Sequence, residues 1–413
     1  MHKILFILGT RPEAIKLAPL IHQAKESDRF TTHVCSTGQH QEMLQQVLDF
    51  FDLIPDYDLH LMQRDQTLHD LASCALRSLS TVMEELSPDL VVVQGDTTTA
   101  MIGALAAFYR RTSVAHIEAG LRSNVKFSPY PEEVNRVLVT HLSDFHFAPT
   151  ERSAGNLRKE GIPEEKIYVV GNTVVDALLL GLREVNKLSM DDINPAVKHI
   201  DFSKKIILVT GHRRESFGRP LENVCHALNE IAKDNRVEII YPVHLNPHVR
   251  EPVFGILGGR NNIHLIEPVD YSTMIYLMSK SYIILTDSGG VQEEAPSLCK
   301  PVLVLREVTE RTEGVEQGVT KLVGTSKENI VRETFALLND INHYNRMATG
   351  DNPYGDGFAS KRIVDVLEHA FEGHTRVGDG LIRVTGTLNN SDVIINKEDL
   401  NGQAQDNSCF ARL

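Results

Sequence analysis

Three carboxylates stand at or just beyond the ends of short apolar runs: Asp96 in Gln94-Gly95-Asp96-Thr97, Glu118 in His116-Ile117-Glu118-Ala119-Gly120, and Glu132 in Pro131-Glu132-Glu133-Val134-Asn135-Arg136. Burying a carboxylate at the end of an apolar strand is costly, so Glu118 is hard to explain by packing. General acid–base work at carbon needs converging carboxylates whose pKa values are pushed apart. Plainer structural roles exist beside this one. Asp96 reads equally as a helix cap ahead of Thr97-Thr98-Thr99, and Glu132 with Arg136 as an i, i+4 ion pair on one helical face.

A second group of residues suits an anion. Gly9-Thr10-Arg11-Pro12-Glu13-Ala14-Ile15-Lys16 combines a glycine turn, a proline at the first helical position and the cations Arg11 and Lys16 at a helix N-terminus. Neither a Walker A loop nor G-x-G-x-x-G occurs, which argues against P-loop hydrolysis and the commonest NAD site. Later in the chain come Gly211-His212-Arg213-Arg214-Glu215, Pro242-Val243-His244 and Asp287-Ser288-Gly289-Gly290-Val291-Gln292-Glu293-Glu294. Ser288-Gly289-Gly290 ahead of a helix lets backbone N–H groups approach a phosphate. Glu294 can accept from ribose hydroxyls, and Arg306 and Arg311 can neutralise phosphate. His212 and His244 lack a third ligand at metal-site spacing, and Asp56-Tyr57-Asp58 reads as a solvated turn, so no metal is expected.

The elements that must position these residues alternate. Lys3–Gly9 is a continuous apolar run ending in glycine, as in a strand buried on both faces. Strands are expected at 32–36, 89–94, 113–117, 145–148 and 167–170, with helices at 12–25, 40–51, 66–86, 99–109, 132–143 and 153–159. The alternation restarts at Lys205 after a polar stretch, 186–205, taken as a linker. Strands at 205–211, 237–241, 263–266, 282–286 and 301–305 follow, with helices at 221–233, 272–278 and 327–339 and a last helix at 359–371. The pattern predicts an α/β fold of two Rossmann-like doubly wound domains facing across a cleft. The first comprises 1–170 plus 358–372 and carries the acid–base residues; the second, 171–357, binds the nucleotide. Residues 373–413 read as a weakly structured tail in which 381–384 and 393–395 pair.

Composition narrows the class. The 413 residues hold 42 Lys plus Arg against 55 Asp plus Glu, a net charge of −13, with 42% hydrophobic and 23% charged residues. Such a globular, acidic chain is a poor partner for nucleic acid or a membrane surface. No apolar run approaches the ~20 residues of a membrane helix, and no signal peptide is read at the start. Five dispersed cysteines (35, 74, 225, 299 and 409) fit a reducing cytoplasm rather than a disulfide framework.

Taken in order, Gly9-Thr10-Arg11-Pro12-Glu13, Gly95-Asp96-Thr97, Glu118-Ala119-Gly120-Leu121-Arg122, Pro131-Glu132-Glu133-Val134-Asn135-Arg136, Gly171-Asn172-Thr173, Gly211-His212-Arg213-Arg214-Glu215 and Asp287-Ser288-Gly289-Gly290 resemble the non-hydrolysing UDP-N-acetylglucosamine 2-epimerases, from Met1 to about Phe371. The resemblance implies the glycosyltransferase-B arrangement and reversible interconversion of UDP-N-acetylglucosamine and UDP-N-acetylmannosamine. It implies a homodimer without NAD or metal that feeds bacterial surface polysaccharide synthesis. Asp96, Glu118, Glu132 and His212 would be catalytic. Arg11, Lys16, Arg136, Arg213, His244, Ser288, Gly289, Gly290, Glu294 and Arg311 would bind substrate, with Val269 and Met274 beside the uracil. Activated members of the family have a second nucleotide site; here Gln39-His40 fits it, but Glu42 and Asp65-Gln66 place acids there, which disfavours a second anion. The alternatives are a hydrolysing epimerase and a glycosyltransferase of the same fold.

Overall fold

The computed structural model describes residues 1–383 apart from 39–40, 63–65, 189–193, 212, 214–215, 373 and 378–379. Two compact units emerge among the described residues, one joining Met1–Ala177 to 355–383, the other formed by Leu178–Tyr354.

The first unit alternates strand and helix: β1 His2–Leu8, α1 Arg11–Lys25, β2 Phe30–Ser36, α2 Gln41–Phe50, β3 Tyr57–Asp58, α3 Leu68–Leu86, β4 Leu90–Gln94, α4 Thr98–Tyr109, β5 Ser113–Ile117, α5 Glu132–Leu142, β6 Phe145–Ala148, α6 Glu151–Lys159 and β7 Ile167–Val169; α7 Thr173–Val185 follows, with the division between the units after Ala177. Its seven strands lie in the order β3-β2-β1-β4-β5-β6-β7, and each described pairing is parallel. Helices on both faces explain why Ile4–Leu8 and Leu90–Val93 are wholly buried, uninterrupted apolar runs. The order reverses at β1/β4, the switch point where open α/β sheets hold ligands.

The second unit repeats the plan: β8 Lys205–Thr210, α8 Arg219–Ile231, β9 Val237–Pro242, α9 Pro247–Leu257, β10 Ile263–Ile266, α10 Tyr271–Lys280, β11 Ile283–Thr286, α11 Gly289–Glu294, β12 Val302–Val304, α12 Thr312–Glu316, β13 Thr320–Leu322, α13 Lys327–Asn339 and α14 Ile341–Ala348. Its sheet runs β10-β9-β8-β11-β12-β13, again parallel. Leu221, Val224, Leu228 and Ile231 of α8 fill the core against Ile207, Val209 and Ile239. The last helix, α15 Ala359–Phe371, belongs to the first unit. Phe371 packs at a tilt against His2 and edge-to-face against Phe30. The Asp176 carboxylate of α7 accepts from the backbone N–H of Ser360 at 2.7 Å, supplying the N-terminal cap that α15 lacks in its own sequence. Burial raises the Asp176 pKa to about 6 despite those bonds.

Two sequence expectations need correction. Asp56-Tyr57-Asp58 is not a free turn: Tyr57–Asp58 is an edge strand on β2, and Asp56 accepts from the Val34 N–H at 2.8 Å. Thr97, not Asp96, caps α4, accepting from the Ala100 N–H at 3.0 Å. Beyond α15, β14 His374–Val377 pairs antiparallel with β15 Gly380–Arg383; 393–395, the partner expected for 381–384, lies outside the described residues.

Candidate active site

In the first unit, the chemistry gathers at the exits of β1, β4 and β5. Glu118 leaves β5 in a left-handed conformation, φ 66°, uncommon for a residue with a side chain. The carboxylate is buried and met by donors from three other elements. Lys16 Nζ of α1 binds both oxygens at 2.6 and 2.7 Å. Gln94 Nε2, at the end of β4, donates to Oε2, and Asn172 Nδ2 donates to Oε1 at 3.1 Å. This surrounding removes the cost that made Glu118 look anomalous: charge and hydrogen bonds replace its water.

The loop carrying Asp96 is fixed from several sides. His116 Nε2 donates to the Gly95 carbonyl at 2.8 Å, and burial pulls this imidazole's pKa down to about 3, so the ring is neutral. Asn135 Nδ2 donates to the Asp96 carbonyl at 2.9 Å. Thr97 Oγ1 donates to Glu13 Oε1 at 2.5 Å. Glu13 also accepts from the Gly9 and Thr10 N–H groups at 3.0 and 2.7 Å, reaching back across the first turn of α1. Burial raises Glu13 to about 6 against those bonds.

Glu132 opens α5 after cis Ser128-Pro129 and Tyr130-Pro131 peptides. Its Oε2 is buried with no hydrogen-bond partner. The expected Glu132–Arg136 pair does not form among the described contacts. Arg136 instead reaches Asp96 at 2.6 Å and Glu133 at 3.0 Å. Glu133 is a structural acid: it accepts from the Ser123 and Asn124 N–H groups, and these bonds with Arg136 outweigh burial and hold its pKa low. Arg122 makes a bidentate pair with Glu160 at 2.7 and 2.8 Å. Gly120 at φ 89° has no room for a side chain: a Cβ would lie 2.2 Å from the Ser153 carbonyl.

In the second unit, β8 and β11 end side by side. Thr210 and Thr286 share a hydroxyl hydrogen bond of 2.5 Å. Asp287 accepts from the Arg213 N–H at 2.9 Å, and a pocket beside them is lined by Gly211, Arg213, Phe217, Tyr241 and Asp287. Ser288 precedes α11, and Gly289 and Gly290 are its first residues. The Arg311 guanidinium lies over Gly289, where a Cβ would come within 2.9 Å of its carbon. Arg311 Nε donates to Glu293 at 2.9 Å, and Arg306 pairs with Glu310 at 2.9 Å. Tyr271 donates its hydroxyl to Glu294 Oε1 at 2.7 Å.

The remaining expected residues fall as follows. Arg11 is half-buried at the start of α1 and makes no ion pair among the described residues. Lys16 is committed to Glu118 rather than facing an open anion seat. His244 follows β9, its Nδ1 accepting from the Asn246 N–H. Val269 lies between β10 and α10, and Met274 on α10, both half-buried. His212, Arg214, Glu215, Gln39, His40 and Asp65 lie outside the described residues, as does the side chain of Glu42. Sequence reasoning missed Glu13, Gln94, Asn172 and Tyr271 as site residues. Gln94 carried a signal, a polar side chain closing the apolar run Leu90–Val93.

Two parallel-sheet Rossmann-like units with polar strand exits define the two-domain α/β class of glycosyltransferase-B type. Residues 22–368 match the family model described as UDP-N-acetylglucosamine 2-epimerase. The chain is 51% identical over 372 residues to the UDP-N-acetylglucosamine 2-epimerase of Escherichia coli K12, covering 89% of this chain and 98% of that one. It is similar to the Neisseria meningitidis UDP-GlcNAc 2-epimerase solved with UDP-GlcNAc, at 48% identity and TM-score 0.82, over 89% of this chain and all of that one (100%). The Methanocaldococcus jannaschii enzyme, solved with UDP-GlcNAc and UDP, matches at 37% identity and TM-score 0.74, over 89% of this chain and 99% of that one. The chain belongs to the UDP-N-acetylglucosamine 2-epimerase family.

Proposed function

We propose that this chain reversibly converts UDP-N-acetylglucosamine to UDP-N-acetylmannosamine and keeps the nucleotide sugar intact. The carrying observation is the set of carboxylates on one sheet edge, with Glu118 and Asp96 each held by a cation and Glu132 keeping a buried oxygen unpartnered. The relatives solved with UDP-GlcNAc supply the substrate class.

The hydrogen at C2 of the sugar has no adjacent carbonyl, so a carboxylate cannot remove it at a useful rate directly. Breaking the C1–O bond first leaves an electron-poor C1 and acidifies that hydrogen. A carboxylate then takes the proton, the C2–H electron pair forms the C1=C2 bond, and UDP departs with the C1–O pair. The 2-acetamidoglucal and UDP recombine after a proton is delivered to the opposite face of C2. Each step of this elimination and re-addition is redox-neutral, so the route calls for no redox cofactor. In this reading Asp96, Glu118 and Glu132 share the proton transfers and stabilise charge at C1, and His212 is also assigned a catalytic role. Lys16 and Arg136 hold two of those carboxylates. Arg11, Arg213, Ser288, Gly289, Gly290 and Arg311 take the phosphates, Glu294 the ribose, and Val269 and Met274 the uracil, with His244 nearby. The resemblance also supports a cytoplasmic homodimer that supplies surface polysaccharide synthesis.

Proton NMR of UDP-N-acetylglucosamine with the pure protein in deuterium oxide tests the reading. Expected are UDP-N-acetylmannosamine and deuterium at C2. Free N-acetylmannosamine with UDP would instead mean a hydrolysing epimerase, and an unchanged donor a glycosyltransferase awaiting its acceptor.

A further inference from the structure

The Gly171-Asn172-Thr173 turn follows β7, at the far edge of the first sheet and two strands from β5. Gly171 at φ 93° turns the chain back over the strand exits. Asn172 is 3% exposed, and its amide works in two directions. Oδ1 accepts from the Val174 N–H at 3.0 Å and so caps α7, while Nδ2 donates to Glu118 Oε1 at 3.1 Å. An N–H on one side and a carboxylate on the other fix which end is oxygen. Gly355 lies against the Asn172 backbone, where a Cβ would sit 3.4 Å from both its nitrogen and its oxygen.

A helix cap requires only an oxygen acceptor, which Ser, Thr or Asp supplies as well. Asn adds a donor on the same side chain, and here that donor meets Glu118. The geometry points to Asn172 as a positioning residue of the reaction: it fixes one oxygen of Glu118 through the amide whose other end caps α7. This inference rests on the epimerase reading. Lys16 supplies the compensating charge, a point charge bound to both oxygens; Asn172 supplies direction, restricting how the carboxylate plane turns.

Asn172→Ser retains a cap and is expected to unfold near the wild-type midpoint; Asn172→Asp retains the cap oxygen but sets a second buried carboxylate against Glu118, so it is expected to unfold earlier at neutral pH. With Asn172→Ser, kcat for C2 exchange falls about 10- to 100-fold, as for loss of a hydrogen bond to a charged group, and KM changes little. With Asn172→Asp, kcat falls further, and the acid limb of its pH profile moves to higher pH because a like charge raises the Glu118 pKa. Variants that keep the wild-type kcat and pH profile overturn the inference, as does a loss of kcat that merely tracks loss of folded protein by circular dichroism. If the wild type itself fails to exchange the C2 hydrogen, the epimerase reading falls and this inference with it. If the wild type exchanges and the variants match it, only the role of Asn172 falls.

Discussion

Two ion pairs, one at the strand exits of each unit, are built in opposite senses. In the first unit Arg136 is 14% exposed and its partner Asp96 27%, so the acid stands in front with a cation behind it. In the second, Glu293 is 3% exposed and Arg311 16%, so the cation stands in front with an acid behind it. The same pairing therefore presents a carboxylate on one unit and a guanidinium on the other. The hidden partner orients the presented group and offsets its burial. The two units share a parallel strand order yet differ in which member of these pairs is the more exposed.

The largest effect separates the two roles. Glu118→Gln is expected to lower kcat by roughly 10²- to 10⁴-fold, the range for removing a general acid or base. UDP affinity by calorimetry should not change; a parallel loss of UDP binding would break the division of labour. Next comes Arg311→Met, which should weaken UDP binding about 10- to 100-fold, the range for a hydrogen bond to a charged group. It should also leave the Glu293 carboxylate buried without its guanidinium.

A third measurement concerns the acid that holds the Asp96 loop. Glu13 has its folded pKa raised from 4.5 to about 6 by burial. The folded state then binds more protons than the unfolded one between those values. The Glu13 contribution to stability is greatest below pH 4.5 and falls as pH rises to about 6, by about 2 kcal/mol. Glu13→Gln should flatten that slope in urea titrations across the window; an unchanged slope would place the titration elsewhere. The smallest effect is expected from Gly289→Ala. Its Cβ must displace the Arg311 guanidinium from 2.9 Å, raising the UDP dissociation constant about fivefold, at the low end of overpacking costs. No change there would mean that Arg311 does not depend on its seat over Gly289.

Much of this architecture was legible from local pattern. Apolar runs ending in glycine or an acid located the strands, and Glu118 drew notice because a carboxylate at the end of a buried strand has few structural explanations. What stayed hidden was pairing across the chain. Lys16 reads as an anion-seeking cation near Arg11, yet its partner Glu118 is 102 residues away. Arg136 reads as the i, i+4 partner of Glu132, yet the strand order brings β4 beside β5 and carries Asp96 into its reach. Periodicity reports which face a residue takes, whereas the order of strands in the sheet decides its neighbour. The two-residue strand Tyr57–Asp58 was missed for a related reason. Such a strand is too short to show alternation and is defined only by its pairing with Cys35 and Ser36.

The return of α15 to the first unit bears on how the chain matures on the ribosome. Residues Leu178–Tyr354 emerge before Ala359–Phe371, so the second unit has all its strands available while the first still lacks a helix. Until then His2, Phe30 and the Asp176 carboxylate wait for the partners that Phe371 and Ser360 bring. Synthesis order and completion order are therefore reversed, and the half of the molecule made first is the half finished last.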